Sequence, residues 1–292
     1  MGRKNIFKIV RDNSNIKNDI DRIIRLFSED KICACNEVLY TRDMSLKDFV
    51  EEFCFSTWKS RGHCLDVDDF LSTIGYKELL FNIKNCIDSI NESLIIIEIV
   101  FNFWKLAENK SKITCVNFGF KNNFYHLFDL MQDILARLNY QAIYDEDKEQ
   151  VLVIEDKPEV TAVAEIVDDD LSMEVLKYNH HTLKGDLDTK KKILLRFGNE
   201  IEAKRDTLNQ VNKELTTNIF YMLNNFNLRH NNIDINCKKH YKKVIAEMKD
   251  DELEEWYDEL YQMILLVFLE LDNKDRTIKF KEIKDKIENG EK

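Results

Sequence analysis

One proline and seven glycines punctuate this chain of 292 residues. With so few breakers, long helices can run without interruption. No stretch is apolar enough to span a bilayer. The most apolar run, Leu94 to Trp104, is interrupted by Glu98 and Asn102 and falls short of the ~20 apolar residues that a crossing requires. It reads as a buried core helix, and no membrane partner is expected. The start, Met1 to Ile6, lacks the apolar core of a signal peptide. It also lacks the Ser or Thr at position 6 that myristoylation prefers. There is no Walker loop, dinucleotide-binding glycine fingerprint, nucleophile elbow or His-Glu-x-x-His motif, which argues against P-loop phosphoryl transfer, dinucleotide chemistry and serine hydrolysis. The seven cysteines are odd in number and show no disulfide spacing. A reduced, cytoplasmic protein is the simplest reading.

What is present is charge and helical periodicity. A third of the residues are charged and the net charge is -11. Such a surface opposes general binding to nucleic acid or anionic membrane and leaves only local basic patches for that role. The 44% hydrophobic content is enough for a real core. Amphipathic or apolar helical patterns cover residues 15–28, 46–60, 76–106, 122–138 and 172–176. Ser45 with Asp48 marks one helix start, Asp66 to Asp68 a second, and Asp188 a third. Tyr140 to Tyr144 and Gln150 to Ile154, joined by a polar turn, form the one clear β-hairpin signal, closed by Pro158. Residues 160–167 favour a helix, because Ala162, Val163 and Ile166 share a helical face.

The strongest repeat follows. Leu194, Ile201, Leu208, Leu215 and Met222 recur every seven residues, with Phe197 and Val211 in a second row broken by Lys204, Asn218 and Asn225. One apolar row and one broken row predict a long helix in a globular bundle rather than an extended coiled coil. Carboxylates at 250–252 open a last helix, whose face from Trp256 to Leu271 is broadly apolar; the charged tail from Lys274 reads as a frayed continuation. The expected fold is mainly α: an N-terminal helical region over 1–140, a hairpin and connector over 141–168, and a C-terminal helical bundle with a long helix over 169–292.

Leu223 to Asn232, at the end of the seven-residue stripe, packs an arginine, a histidine and five amides into ten residues. Arg229 can hold a phosphate and His230 can move protons near neutral pH, which is what metal-independent RNA cleavage needs. Asn225 and Asn231 complete the candidate site. The plainer reading is a helix end closed by amides and cations. Other candidates have plain readings too. His180 and His181 with Lys184 and Lys190 to Lys192 fit a solvated loop and helix start. Cys33 and Cys35 with His63 and Cys64 are spaced too tightly for structural zinc and read as scattered thiols. The acidic runs 168–170 and 250–255 fit helix N-termini. Lys238, Lys239, Lys242 and Lys243 beside His240 make a local basic patch. No cofactor or metal is called for.

In the C-terminal half, Tyr178-Asn179-His180-His181, Leu183-Lys184-Gly185-Asp186, Lys191-Lys192-Ile193-Leu194 and then Asn224 to Asn232 follow one another. Over residues 170–272 this order resembles the helical C-terminal domains of bacterial abortive-infection proteins and, more loosely, the HEPN superfamily. The resemblance implies an all-helical bundle, homo-oligomer formation or a protein partner through that bundle, a host-defence role, and in many members an endoribonuclease activity carried by an Arg and a His. In the superfamily several residues separate that pair; here Arg229 and His230 are adjacent. The competing expectation is a non-catalytic helical interaction protein.

Overall fold

The computed structural model describes residues 15–36, 40–76, 90–113 and 118–289. The first part of the helix expected over 76–106, together with Cys86 and Cys115, lies outside the described residues. The chain divides into two compact units, 1–156 and 157–292, each with its own apolar core. The hairpin therefore belongs to the first unit and the connector that follows it to the second. Among the described residues no helix is long and apolar enough to cross a membrane.

The first unit contains α1 (Ile16–Ser28), β1 (Cys33–Asn36), β2 (Thr41–Met44), α2 (Leu46–Phe53), α3 (Val67–Thr73), α4 (Ile90–Ile113), β3 (Phe118–Phe120), α5 (Asn122–Arg137), β4 (Tyr140–Asp145) and β5 (Gln150–Glu155). Capping follows the sequence. The Ser45 hydroxyl accepts from the amide of Asp48 and the Asp66 carboxylate from that of Asp69. The expected helix over 46–60 is α only to Phe53 and continues as two 3-10 turns to Arg61. Gly62 then takes a positive φ, a conformation that glycine adopts without steric penalty.

Helix α4 is the spine of this core, with Ile96, Ile97, Val100, Phe103 and Ala107 fully buried. Its two polar interruptions serve the hairpin. Asn102 accepts from the backbone amide of Val151 at 2.8 Å and donates to the carbonyl of the same residue at 2.9 Å. Glu98 accepts from the amide of Val153 at 2.7 Å. These side chains satisfy backbone groups along one edge of β5, which would otherwise be buried without partners. The hairpin pairs Tyr140 with Glu155 through to Asp145 with Gln150.

A small antiparallel sheet of order β2-β1-β3 was not anticipated from the sequence. Cys33 pairs with Met44 on one side and with Phe120 on the other. The strands have three or four residues each, too few to display a two-residue alternation.

The second unit contains α6 (Pro158–Ala164), α7 (Asp169–Lys177), α8 (Leu187–Ala203), α9 (Arg205–Val211), α10 (Lys213–Asn225), α11 (Lys243–Ala246) and α12 (Asp250–Asn289). The chain is mainly α, with twelve α-helices among the described residues. The long helix lies elsewhere than the heptads suggested. The seven-residue stripe crosses three helices, because the backbone leaves helical geometry at Lys204 and again at Asn212, whose side chain caps α10 by accepting from Leu215. Leu194, Ile201, Leu208 and Met222 are nevertheless buried. The stripe marks a core face, not an unbroken rod. The longest helix is α12, 40 residues, or ~60 Å at the usual rise. The cap of α8 is Asp186, not Asp188, which lies in the first turn.

Candidate functional site

Helix α10 ends at Phe226, and Asn227 takes φ +56°. Asparagine tolerates this left-handed conformation, which stops helices. The chain then makes a compact loop to Lys242, held by one buried side chain. Asn232 is fully buried. Its Oδ1 accepts from the amide of Asn227 at 2.8 Å and its Nδ2 donates to the carbonyl of His240 at 2.7 Å. The amide of Lys242 donates to the Asn232 carbonyl at 2.8 Å. One amide side chain and its own backbone thus tie both ends of the loop together.

The four residues expected to act together have separate partners. Arg229 donates to Glu202 of α8 at 2.6 Å and to the Gly198 carbonyl at 3.4 Å, with its guanidinium 5.5 Å from the centre of the Phe220 ring. It fastens the loop to α8 and α10. The absence of a side chain at Gly198 admits Leu223 rather than Arg229: a Cβ there would meet the two Leu223 methyls at 3.0 and 3.1 Å but the Arg229 Nη2 at an ordinary 3.6 Å. Asn225 donates back to the Tyr221 carbonyl at 2.8 Å, and Asn231 accepts from the amide of Asp234 at 3.2 Å.

His230 is different. Its ring stacks on that of His240, with centroids 4.0 Å apart and planes 21° from parallel. His240 is held below the ordinary imidazole range by desolvation against its neighbours and by the charges of His230, Lys239 and Lys242. Residues 226–242 carry Arg229, Lys238, Lys239 and Lys242 against Asp234. With Arg229 paired to Glu202, three lysines face one carboxylate in the loop, on a chain whose net charge is -11. The loop is a local positive patch bearing two adjacent imidazoles.

The other candidates resolve into local structure. Lys190, read as part of a solvated basic run, is buried and bridges Glu254 and Asp258 at 2.7 and 2.6 Å. His180 bonds Thr182 at 2.7 Å and His181 opens a 3-10 turn. Asp168 to Asp170 form the N-cap and first turn of α7, and Asp250 to Glu252 lie in the first turn of α12, with Glu254 one turn on as the partner of Lys190. Cys33, Cys35 and Cys64 are buried free thiols, and among the described residues they form no ligand cluster with His63. A cleft of about 430 Å³ in the first unit is lined by Cys54, Trp58, Tyr144 and Lys110, among others. Burial pushes the Cys54 thiol up to about 12, so it stays protonated near neutral pH and is a poor nucleophile.

The two residues that define the loop, Asn232 and His240, were not singled out as a pair by the sequence. Asn232 differs from its exposed neighbour Asn231 only in where it points. Comparison of the chain with protein-family models, with curated proteins and with solved structures finds no match.

Proposed function

We propose that the loop over 226–242 is an RNA-contacting site and that the protein is a metal-independent RNA-cleaving effector of the host-defence kind, working in the cytoplasm. The observation that carries this reading is the stacked His230–His240 pair inside a basic patch. His240, kept neutral near pH 7, takes the proton of a ribose 2'-hydroxyl. The resulting oxygen attacks the adjacent phosphorus, and the bond to the 5'-oxygen breaks. His230 supplies a proton to that departing oxygen. Lys238, Lys239 and Lys242 hold the phosphate backbone. Arg229 keeps the loop on α8, with Asn225 on the last turn of α10 and Asn231 in the turn at Asp234. The host-defence setting rests on the resemblance of residues 170–272 to abortive-infection domains.

The test is direct. Full-length protein is incubated with labelled single-stranded RNA in the presence of a chelator. Cleavage is expected, with loss of activity in His230→Ala and in His240→Ala, and no cleavage of an all-deoxy strand. Undiminished cleavage by both histidine variants would sink the assignment.

A second reading, a non-catalytic interaction or oligomerisation protein, is favoured by a different observation. Every residue of α12 from Asp275 to Asn289 is exposed, and Ile278, Phe280, Ile283 and Ile287 are among them. Such a helix end normally has a partner. A strictly monomeric protein in light scattering would remove this reading.

A further inference from the structure

Phe280, Ile283 and Ile287 are 68%, 49% and 73% exposed. Spaced by three and four residues, they form one stripe on the free end of α12. Helical geometry puts Lys279 and Lys286 along one border of that stripe and Lys281, Lys284 and Glu288 along the other, where Lys284 pairs with Glu288 at 3.7 Å, with Glu282 and Asp285 on the opposite face. The surface is therefore apolar along its middle, with a net excess of positive charge at its edges. It suits an apolar groove with acidic margins.

The second unit contains a small cleft whose floor is apolar and whose exposed surface is mainly polar. Ile166 and Val167 after α6, Leu171 of α7, and Phe268 and Leu271 of α12 line this cleft of about 130 Å³, room for one aromatic side chain. Its margins carry Asp168, Glu200, Asp272 and Asp275 with Lys204, and Asp272 is already paired with Arg276. Asp168, Glu200 and Asp275 are solvent-exposed. A chain cannot fill its own cleft in this way. The stripe and the cleft share one continuous helix, and a straight helix carries residues 280–287 steadily away from 268–275.

We propose that the cleft receives the α12 end of a second copy of this chain, with Phe280 as the anchor and the lysine borders facing the acidic margins. Each copy holds both the stripe and the cleft, so two copies can exchange ends reciprocally about a two-fold axis. Apolar anchor, pocket and flanking opposite charges are the parts that usually dominate such contacts. The like charge of the lysine borders opposes the alternative in which two stripes pair directly. This inference rests on the interaction reading above, gives it a partner and a surface, and is independent of the RNA reading.

The experiment is sedimentation and light scattering of the full chain over a range of concentrations. Wild type is expected to form a dimer that weakens as salt is raised. Phe280→Asp is expected to be monomeric. Asp168→Lys with Glu200→Lys should weaken association by about tenfold or more, and adding Lys281→Glu with Lys284→Glu should restore it. All these positions are exposed, and unchanged circular dichroism will verify that each variant is folded. A dimer indifferent to the cleft substitutions would overturn this contact while leaving the interaction reading standing. A monomer at every concentration would overturn both.

Discussion

The Nδ2 of Asn232 donates to the carbonyl oxygen of His240 at 2.7 Å, and the opposite end of the same amide accepts from Asn227. This buried amide sets where His240 sits and hence whether it can stack on His230. Replacing Asn232 with Ala strands a partly buried amide hydrogen and a partly buried carbonyl and leaves a small cavity. We expect a loss of about 2–3 kcal/mol in stability, read by urea denaturation, and separation of the two rings, read by loss of contacts between their protons in NMR. Asn231→Ala, one residue away and exposed, should change stability by less than about 0.5 kcal/mol. Equal effects at the two positions would contradict the latch.

Arg229 is a fastening residue in this geometry. Its pair with Glu202 is partly exposed, with 19% and 49% of the two side chains accessible, so screening limits its worth to about 1 kcal/mol. Arg229→Lys keeps the charge but loses the planar fork that reaches both Glu202 and the Gly198 carbonyl. A double-mutant cycle with Glu202→Gln should show coupling of about 0.5–1 kcal/mol. A cycle with no coupling would detach Arg229 from α8.

The histidine pair makes a pH prediction. The pKa of His240 lies below the ordinary imidazole value in the folded loop. The unfolded chain therefore takes up its proton first as pH falls from about 6.5. The loop's stability is full above that pH and declines as pH drops towards the folded value. Titration of the His240 ring protons by NMR should give a midpoint below 6.5, and His230→Ala should move it up. A midpoint at or above the ordinary value would remove the charge coupling on which the base assignment rests.

Much of this fold was legible in the sequence because its signals are local. Ser45 and Asp66 announce helix starts through side chains that reach an amide three residues on. Tyr140 to Ile154 announces a hairpin through β-branched runs and a polar turn. The seven-residue stripe correctly marked a core face but could not show that Asn212 turns the backbone, since a cap within a helical pattern looks like one more polar position. The sheet built on Cys33 depends on pairing with Phe120, far along the chain, which leaves no local trace. The candidate site divides the same way. Polar density at 223–232 drew attention to the loop. The pairing of His230 with His240, and the burial of Asn232 between exposed neighbours, arise only from the closure of the loop.

Lys190 illustrates what such a reading misses, and it carries the sharpest stability prediction. Sequence places it in a run of three lysines at a helix start, yet its side chain is only 7% exposed and meets Glu254 at 2.7 Å and Asp258 at 2.6 Å. Tyr178 stacks on Tyr261 beside it and donates to Asp258 at 2.9 Å. Burial alone would raise the Glu254 carboxyl, but the Lys190 ammonium and the Gly185 amide outweigh it and hold the group below the usual range. Lys190→Met leaves a mostly buried carboxylate without its cation, while Asp258, half-exposed, can rehydrate. We expect a loss of about 2–4 kcal/mol at pH 7. The sign of the pH dependence follows from the depressed Glu254 pKa. Its contribution is present above the unfolded value near 4.3 and is lost as pH falls through the folded value. Removing the cation lets the folded pKa rise, so that acid-side loss should shrink. Denaturation curves at intervals from pH 7 to pH 3 should show the variant and wild type converging as the acid limit is approached. A constant gap across that range would mean that Lys190 stabilises α8 against α12 by packing alone.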